Sequence, residues 1–406
     1  MNSRAEAGRS GKNVRSDCLV IIERHDGPGD IVLKSKVAAL YGRSIRALAG
    51  EMLTSYGLSD AHLAIDDSGA LPYTLAARIE TAIRRLDPAM TAEYLLPYRE
   101  GIIVPSQRDR FRRSRLYLPG NDPKLAVNAG IHGADGVILD LEDSVAPAEK
   151  DAARILVRNT LREIDFMGAE RMVRINQGDA GLADLNMIIP QRPNLILVPK
   201  VEDAQHLRIV HARIEELRAA HAIADEVFLM PIIESAKGAV FAYDIATAAP
   251  SVVALAIGLE DYTADIGAER TLEGRESFWM RGAVLNAARA AGIQAIDTVF
   301  SDVSDMDGLL ASVREAKSLG FDGKGCIHPR QIPVVHQGFA PEKKDLDKAM
   351  NIVLAFDDAQ RRGLGVVALG SKMIDPPVVK RALRNIELAV KAGLLSEHWK
   401  EENNEQ

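Results

Sequence analysis

The amino-acid sequence predicts an α/β protein whose main part is a closed TIM (β/α)8 barrel, preceded by a small α+β domain. The chain has 406 residues, too many for one small core, so two domains are expected. From residue 113 onward, eight short apolar runs alternate with helical stretches, as in a parallel sheet covered on both faces. No GxGxxG motif follows the first run, so a closed barrel is favoured over a doubly wound open sheet.

The composition excludes several classes of protein. The net charge of −7 argues against a general nucleic-acid binder. Two distant cysteines, Cys18 and Cys326, imply neither a disulfide framework nor a zinc site, and they suit a reducing cytoplasm. The N-terminus lacks the apolar core of a secretory signal, and no apolar run approaches the ~20 residues that span a bilayer. We therefore expect a cytoplasmic protein that binds neither nucleic acid nor membrane.

The segment before residue 93 predicts a compact α+β domain. Residues 1–16 are small, polar and basic, and are predicted to be disordered. Apolar runs at 18–26 and 61–71 predict strands. Helical spacing between them predicts a helix that ends at Gly57, a residue type that favours the turn after a helix. A second amphipathic helix is predicted over 73–86, and a proline-containing, charged segment over 93–112 predicts a linker or docking segment.

The barrel prediction is based on eight short runs. Each is mostly apolar, and most end in a polar residue or in glycine and proline. They are RLYLPG (115–120), GVILDLED (136–143), RMVRIN (171–176), NLILVPK (194–200), VFLMPIIE (227–234), VALAIGLED (253–261), GIQAIDT (292–298) and GKGCIHP (323–329).

Charged and polar side chains lie at the carboxyl ends of seven of these runs. In a barrel those ends meet at one rim, which is where catalytic residues of this fold lie. A single charged strand end carries little information, but seven consecutive ones predict a site. The residues are Glu142 and Asp143, Arg174 and Asn176, Lys200, Glu234, Glu260 and Asp261, Asp297, and His328.

The residue types at this rim restrict the chemistry. Carboxylates with one histidine suit Mg²⁺, which takes oxygen ligands and keeps several waters, better than zinc. A Mg²⁺ with an open face can chelate a 2-oxo acid and polarise its carbonyl. Arg174 can hold a substrate carboxylate through two parallel hydrogen bonds. No GxSxG motif supports a serine hydrolase. This combination predicts making or breaking of a carbon–carbon bond next to a keto acid.

Eight motifs, in order, resemble one known family. They are RSRLYLPGNDPKL, GVILDLEDSVAPAEKDAAR, VRIN, LVPKVEDA, PIIESAKG, GLEDYTADIG, CIHPRQI and GSKMIDPP. Over residues 113–400 they resemble the citrate lyase β-subunit family of Mg²⁺-dependent lyases, which includes malyl-CoA and citramalyl-CoA lyases. The segment GDIVLKSKVAALYGRSIRALAGEMLTSYGLSDAHLAIDDSGALPYTLAARIETAI resembles the citrate lyase γ subunit, an acyl carrier protein. The resemblance thus implies a carrier domain fused to a lyase.

The resemblance also implies domain boundaries and an assembly. It predicts a carrier-like domain over 1–92, a linker over 93–112, a barrel over 113–335 and a helical extension over 336–406. In the family the extension reaches over the barrel mouth of a neighbouring subunit. A homotrimer is implied, and a separate α-type CoA-transferase subunit is a further expected partner.

Roles follow from the resemblance, residue by residue. Glu234 and Asp261 correspond to the metal carboxylates, and Arg174 to the substrate-binding arginine. Asp375, in SKMIDPP, corresponds to the catalytic acid on the thioester side. Arg113 and Lys124 lie where the family binds the CoA or pantetheine arm.

Each assignment has a structural alternative. Asp261 can cap a helix, Arg174 can be an ion-pair partner, and Asp375 can be a turn acid. Glu142 and Asp143 either support the metal ligands from behind or cap a helix. His328 favours a packed, hydrogen-bonded histidine over a base. Lys200 can shape the cavity or pair with a carboxylate, and Asp297 can support the site or be structural.

The carrier motif departs from its family at the attachment site. The family attaches phosphoribosyl-dephospho-CoA to a serine shortly before the first strand. Aligned without gaps, that position is Arg15, and Ser16 is its neighbour. Either a one-residue slip of the loop makes Ser16 the attachment site, or the domain has lost its arm and is structural.

The expected reaction is Mg²⁺-dependent cleavage of a citryl thioester to oxaloacetate and an acetyl thioester. Malyl or citramalyl thioesters, which give glyoxylate or pyruvate, are the first alternative. A non-catalytic assembly subunit is the second, and a class II aldolase acting on free 2-oxo acids is the third. The substrate is a tethered thioester if the arm is present, and a free acyl-CoA if it is not.

Overall fold

A computed structural model describes residues 3–24, 28–363, 367–369 and 372–404. It divides into two compact units, Met1–Val335 and His336–Gln406. The first unit contains the N-terminal domain and the barrel. Within the described residues, no helix has both the length and the apolar composition needed to cross a membrane.

The N-terminal domain is a four-stranded sheet covered by two helices. The sheet order is β1-β2-β4-β3, with β3 parallel to β4 and the other pairs antiparallel. Inward-facing residues of β2 and β4, such as Val20 and Ile65, form its core with apolar residues of the helices. The elements are β1 (Arg4–Gly8), β2 (Cys18–Glu23), β3 (Asp30–Ser35), α1 (Ala38–Ser55), β4 (His62–Asp67) and α2 (Pro72–Leu86).

The prediction of disorder over residues 1–16 is wrong for Arg4–Gly8, because β1 pairs along its whole length with β2. Residues 1–2 lie outside the described part of the chain. The alanines of β1, Ala5 and Ala7, face the core, while its charged residues face solvent. The small side chains hide this alternation in the sequence. The predicted end of the first helix is confirmed, since Gly57 adopts the left-handed conformation, φ 67°, directly after α1.

The eight predicted runs form eight parallel strands that close into a barrel in the order β5 to β12. The TIM-barrel prediction is therefore confirmed. The strands are β5 (Ser114–Pro119), β6 (Gly136–Asp140), β7 (Glu170–Arg174), β8 (Leu195–Val198), β9 (Phe228–Ile233), β10 (Ala254–Ile257), β11 (Gln294–Asp297) and β12 (Gly323–Cys326).

Helices connect the successive strands. Strands that are buried on both faces in this way can be continuously apolar. Side chains such as Ile138, Met172 and Met230 form an apolar cluster. The helices are α3 (Pro123–Val127), α4 (Lys150–Glu163), α5 (Gly178–Ile188), α6 (Ala204–Ala220), α7 (Ala236–Val240), α8 (Ala242–Ala246), α9 (Leu259–Asp265), α10 (Phe278–Ala290), α11 (Met306–Leu319) and α12 (Gln331–Phe339).

The arginine-rich segment before β5 is fastened across the amino ends of the strands. Arg108 donates to the carbonyls of Pro250 and Val252, at 2.6 and 2.9 Å. Arg112 forms a two-pronged ion pair with Glu170, at 2.7 and 2.8 Å, and both side chains are fully buried. The last residues of this segment are therefore docked on the barrel, which is the second of the two possibilities that the sequence left open.

The second unit has its own apolar core, built mainly between two long helices. Leu346, Val353 and Phe356 of one helix meet Ile386 and Ala389 of the other. A short hairpin accompanies the helices of the predicted extension. The elements are α13 (Lys343–Arg361), β13 (Val367–Leu369), β14 (Lys372–Ile374), α14 (Pro376–Lys391) and α15 (Trp399–Asn404).

Candidate active site at the carboxyl ends of the barrel strands

A cavity of about 400 Å³ opens at the carboxyl ends of the barrel strands. Charged residues at the ends of β6, β7, β9 and β10 contribute to its wall, next to apolar residues of β9 and β10. Its polar lining residues are Tyr117, Asp140, Asp143, Ser144, Arg174, Glu234, Glu260, Asp261 and Thr298. The rim that the sequence predicted is therefore a concave site.

Arg174 ends β7 and is held in one orientation by Asp140, the last residue of β6. Its Nε and Nη2 donate to the two carboxylate oxygens of Asp140 at 2.6 and 2.7 Å. The guanidinium also lies over the Tyr117 ring, 5.4 Å from its centroid. Burial alone would raise the pKa of Asp140, but its hydrogen bonds to Arg174 hold that pKa below the ordinary value. The pair therefore stays charged, with a fixed guanidinium plane.

Glu142 and Asp143 extend this pair toward the cavity. The Nη1 of Arg174 lies 2.9 Å from Glu142 and 3.7 Å from Asp143. Gln177 donates to the second oxygen of Glu142 at 2.7 Å. Burial, followed by the neighbouring charge of Asp143, raises the pKa of Glu142 even though Arg174 opposes the change. Both acids thus lie next to Arg174, which agrees with the interpretation that they support the site.

Glu234 lies just after β9 and is only 5% exposed. Its Oε1 accepts a hydrogen bond of 2.7 Å from the backbone N–H of Lys200. Its Oε2 fills space that Gly258 leaves open, since a Cβ at Gly258 would lie 2.3 Å from that oxygen. Burial, with further repulsion from Asp261 and Glu142, raises the pKa of Glu234 to about 8. The carboxyl group is therefore positioned from both sides.

Lys200 provides the second cation of the site. Its φ of 49° is unusual for a residue with a side chain, and this conformation accompanies the hydrogen bond from its amide to Glu234. Its Nζ lies 3.4 Å from Glu142, 3.6 Å from Asp143 and 3.7 Å from Asp261. Burial alone would lower the pKa of Lys200, but these carboxylates raise it.

The charges at the site do not balance. Asp140, Glu142, Asp143, Glu234 and Asp261 carry five negative charges when ionised, whereas Arg174 and Lys200 carry two positive ones. Glu260 is paired separately with Arg270. A deficit of three positive charges around oxygen donors suits a divalent cation such as Mg²⁺. In the described part of the chain no cluster of three or more acidic, histidine or cysteine groups is arranged around a metal position. Glu234 and Asp261 both line the cavity and are the two carboxylates that could hold such an ion, with water and substrate in its other positions.

Arg113 is not brought to this rim. It directly precedes β5, at the amino ends of the strands, and forms a two-pronged ion pair with Asp135 at 2.9 Å. Its guanidinium also stacks on Phe111, 4.7 Å from the ring centroid. The structure therefore places Arg113 at the end of the barrel opposite the cavity, away from the other residues assigned to substrate or CoA binding. Lys124, by contrast, begins a short helix after β5, at the catalytic end, with an exposed side chain.

Asp375 lies in the second unit, at the start of α14. Its carboxylate caps that helix by accepting the backbone N–H of Val378 at 3.2 Å. This contact supports the structural interpretation of Asp375 as an acid in a turn. If Asp375 is also catalytic, the same carboxylate must cap the helix and transfer the proton.

Two other strand-end residues have structural contacts. Asp297 is buried and paired with Lys324 at 2.9 Å and Arg281 at 3.1 Å. The Nδ1 of His328 accepts the backbone N–H of Arg330 at 3.2 Å. These contacts agree with the structural interpretation of both residues.

The sequence interpretation missed Asp140, Tyr117 and Gln177. Asp140 lies inside an apolar strand run, where an acid is unusual unless it is paired. This feature is visible in the sequence and could have identified the residue. Tyr117 and Gln177 became recognisable only when the strand ends were placed around one cavity.

Comparisons with known proteins agree with this geometry. The sequence pattern described as HpcH/HpaI aldolase/citrate lyase matches residues 113–329. The acyl-carrier pattern described as malonate decarboxylase delta subunit (MdcD) matches residues 5–86. The predicted acyl-carrier-like character of the N-terminal domain is thus confirmed.

Individual relatives match about two thirds of the chain. The citrate lyase subunit beta of Leuconostoc mesenteroides subsp. cremoris is 39% identical over 69% of this chain and 94% of its own. The mitochondrial citramalyl-CoA lyase of Mus musculus is 35% identical over 68% of this chain and 86% of its own. Protein CitE from Mycobacterium tuberculosis, solved with magnesium, acetoacetate and coenzyme A, has a TM-score of 0.57 and 32% identity over 71% of this chain and 100% of its own.

Proposed function

The chain belongs to the HpcH/HpaI aldolase/citrate lyase family and is a carbon–carbon lyase, and on that premise we propose that it cleaves a citryl-type thioester, with Mg²⁺, to oxaloacetate and an acetyl thioester. The observation that carries this proposal is the buried carboxyl group of Glu234, positioned beside Asp261 and Arg174 in one cavity. The similarity to a citrate lyase β subunit and the fused carrier-type domain support a citryl substrate over others.

Glu234 and Asp261 are the residues that would hold Mg²⁺. Bound there, the ion would polarise the oxygens of the 2-oxo or 2-hydroxy carboxylate end of the substrate. Lys200 would keep Glu234 in place through its backbone N–H, whose hydrogen bond does not depend on the position of the ammonium.

Arg174 would bind a carboxylate of the substrate. A guanidinium has five N–H donors. Asp140 engages two of them and Glu142 faces a third, which leaves two donors for a ligand. Because Asp140 fixes the guanidinium plane, these two donors are pre-oriented toward the cavity that Arg174 lines.

Cleavage moves one proton and one electron pair. The proton of the substrate hydroxyl passes to a carboxylate of the site as the carbonyl of oxaloacetate forms. The electron pair of the broken carbon–carbon bond passes to the α-carbon of the thioester as an enolate, which takes a proton from Asp375. In reverse, Asp375 removes that proton from the acetyl thioester, so it acts as a general acid in one direction and as a general base in the other.

The acyl group would be carried on Ser16 through a phosphoribosyl-dephospho-CoA arm. Ser16 is half-buried, has a left-handed backbone with φ of 60°, and lies in a turn between β1 and β2. The match of residues 5–86 to an acyl-carrier family supports an arm on this domain. Lys124, exposed at the catalytic end of the barrel, is the residue we assign to contact the arm.

We also infer a homotrimer in which Asp375 serves a neighbouring subunit, with an α-type CoA-transferase as a further partner. Large apolar side chains exposed on neighbouring helices support self-association. Helix α10 packs against α7 and α8, and Val240, Tyr243, Phe278 and Trp279 are each more than half exposed.

Turnover of defined thioesters tests this function. Citryl, malyl and citramalyl thioesters are incubated with enzyme and Mg²⁺, and oxaloacetate, glyoxylate and pyruvate are assayed separately. We expect oxaloacetate from the citryl substrate. Glu234→Gln should abolish turnover, and Glu202→Gln, which alters an exposed acid paired with Lys237, should not. No turnover of any thioester, or full activity of Glu234→Gln, would contradict the proposal.

A second candidate reaction is citramalyl-CoA cleavage to pyruvate and acetyl-CoA. The similarity to the mouse citramalyl-CoA lyase favours it. It requires no arm on Ser16, so pyruvate formed from free citramalyl-CoA by a protein without an adduct would support it.

A further inference from the structure

The N-terminal domain is fastened to the barrel through buried charge pairs. Helix α2 packs on α4, and Glu80 of α2 forms a two-pronged pair with Arg158 of α4 at 2.6 and 2.9 Å. Both of these side chains are fully buried. At the end of α2, Arg85 pairs with Asp151 at 2.7 Å. A domain held through desolvated charges is not free to swing.

The segment that joins the two domains is also held to the barrel by hydrogen bonds. Tyr98 donates its hydroxyl proton to the carbonyl of Pro190 at 2.9 Å, and the backbone N–H of Arg99 donates to Arg162 at 2.9 Å. Further along, Asn194 donates to the carbonyl of Val104 at 2.8 Å. The segment is therefore attached along the surface of the barrel before it reaches the amino ends of the barrel strands.

The turn that holds Ser16 is part of this junction. Asp17, the next residue, is 1% exposed and accepts two hydrogen bonds from Arg78 at 2.8 and 2.9 Å. The Nη2 of Arg78 donates as well to the carbonyl of Asn121 at 3.0 Å. Arg9 repeats the connection, with Nε 3.6 Å from Asp17 and Nη2 3.7 Å from Asp122.

Asn121 belongs to the loop that follows β5, at the catalytic end of the barrel. The preceding residue, Gly120, donates its backbone N–H to the carbonyl of Asp140 at 2.8 Å, and a side chain at Gly120 would collide with that carbonyl. Asp140 in turn holds Arg174. The attachment turn and the site are thus connected by a short series of direct contacts within one chain.

We propose that the N-terminal domain is a stationary carrier whose arm, attached at Ser16, serves the barrel of its own chain. The junction formed by Asp17, Arg78 and Asn121 sets the origin of the arm, and only the arm moves. This inference rests on the proposed function, because it requires both an arm on Ser16 and a thioester site in the barrel.

Complementation between two inactive chains tests it. Glu234→Gln chains keep Ser16 but lack a working barrel, and Ser16→Ala chains keep the barrel but lack the arm. The two are co-expressed in a host that installs the arm, the arm thiol is acetylated, and oxaloacetate and Mg²⁺ are added. Condensation joins the acetyl α-carbon to the keto carbon of oxaloacetate and moves a proton to the new hydroxyl, so the arm gains the mass of oxaloacetate.

Intact mass spectrometry reads the arm on each chain. We expect the wild-type chain to be converted and the arm on the Glu234→Gln chain to remain acetylated. Conversion of that arm by Ser16→Ala partners would show delivery between chains and overturn the inference while leaving the proposed function intact. A native protein without any adduct on Ser16 would instead overturn the arm itself. Conversion by Glu234→Gln alone would overturn the assigned barrel site.

Arg78→Lys tests the junction, because it keeps the charge but loses the two-pronged geometry. We expect conversion of the acetyl arm to slow at least tenfold while condensation of free acetyl-CoA with oxaloacetate is unchanged. Arg46→Lys, on α1 of the same domain, should change neither rate. Equal loss in both assays would indicate misfolding and contradict a role in positioning, as would unchanged conversion of the arm.

Discussion

The backbone N–H of Lys200 donates to Glu234 at 2.7 Å, while its side chain turns toward other acids of the same site. One residue therefore fixes the carboxylate that we assign to the metal and also brings a positive charge near Asp261. Because the two functions use different atoms, they can be separated by substitution of the side chain alone.

Lys200→Met should increase the affinity for Mg²⁺ about three- to tenfold. Removal of the ammonium takes away a competing cation, and charge pairs of this partly exposed kind contribute about 0.2–1 kcal/mol each. Calorimetric titration of the protein with Mg²⁺ measures the effect. Lys237→Met, which removes an exposed ammonium near Glu202, should leave the affinity unchanged. Weaker binding by Lys200→Met would show that the ammonium supports the metal.

Gly258→Ala should weaken Mg²⁺ binding at least tenfold. The added Cβ would lie 2.3 Å from Oε2 of Glu234, so the carboxylate must move, at a cost of about 1–3 kcal/mol in stability. Gly282→Ala is the matched control, since a Cβ at that helical position meets no atom within 4 Å. It should bind Mg²⁺ normally and gain about 0.5–1 kcal/mol. Titration and denaturant unfolding report both quantities.

Stability of the metal-free protein should fall as pH rises. Burial raises the pKa of Glu234 from 4.5 to about 8, so between these values the folded chain binds a proton that the unfolded chain has released. The free energy of unfolding then decreases by a few kcal/mol over this interval and levels off above it. Urea unfolding in a chelator at several pH values measures the slope. Glu234→Gln should flatten it, and an unchanged slope in that variant would exclude Glu234 as its source.

Glu80→Gln should destabilise the protein by about 3–5 kcal/mol, because the fully buried Arg158 loses its two-pronged partner and keeps only the partly exposed Glu93, at 3.3 Å. Replacement of both residues by methionine should recover most of that loss. Removal of Glu216 from its exposed pair with Arg213 should change stability by less than about 1 kcal/mol. Denaturant unfolding monitored by circular dichroism distinguishes the three cases. Equal effects at both sites would contradict the burial argument.

The barrel and its rim were predictable from sequence for a physical reason. Strands buried on both faces must be continuously apolar, so the acids that end them, such as Glu234, are conspicuous. Strand β1 was not predictable, because its inward residues are alanines and its pairing depends on β2 (Cys18–Glu23). The position of Arg113 depends on Asp135, which precedes the next strand, and the backbone of Lys200 depends on a carboxylate 34 residues away. Such relationships arise only when the chain is folded.

The arginine-rich segment before β5 limits how the protein can be dissected. A barrel begun at residue 113 would lose Arg112, and Glu170 would remain as a buried carboxylate without its partner. The carbonyls of Pro250 and Val252 would lose the donors that Arg108 provides. The lyase half is therefore not an autonomous folding unit at the boundary its strands suggest. A gene for it alone must begin upstream, within what is formally the connection between domains.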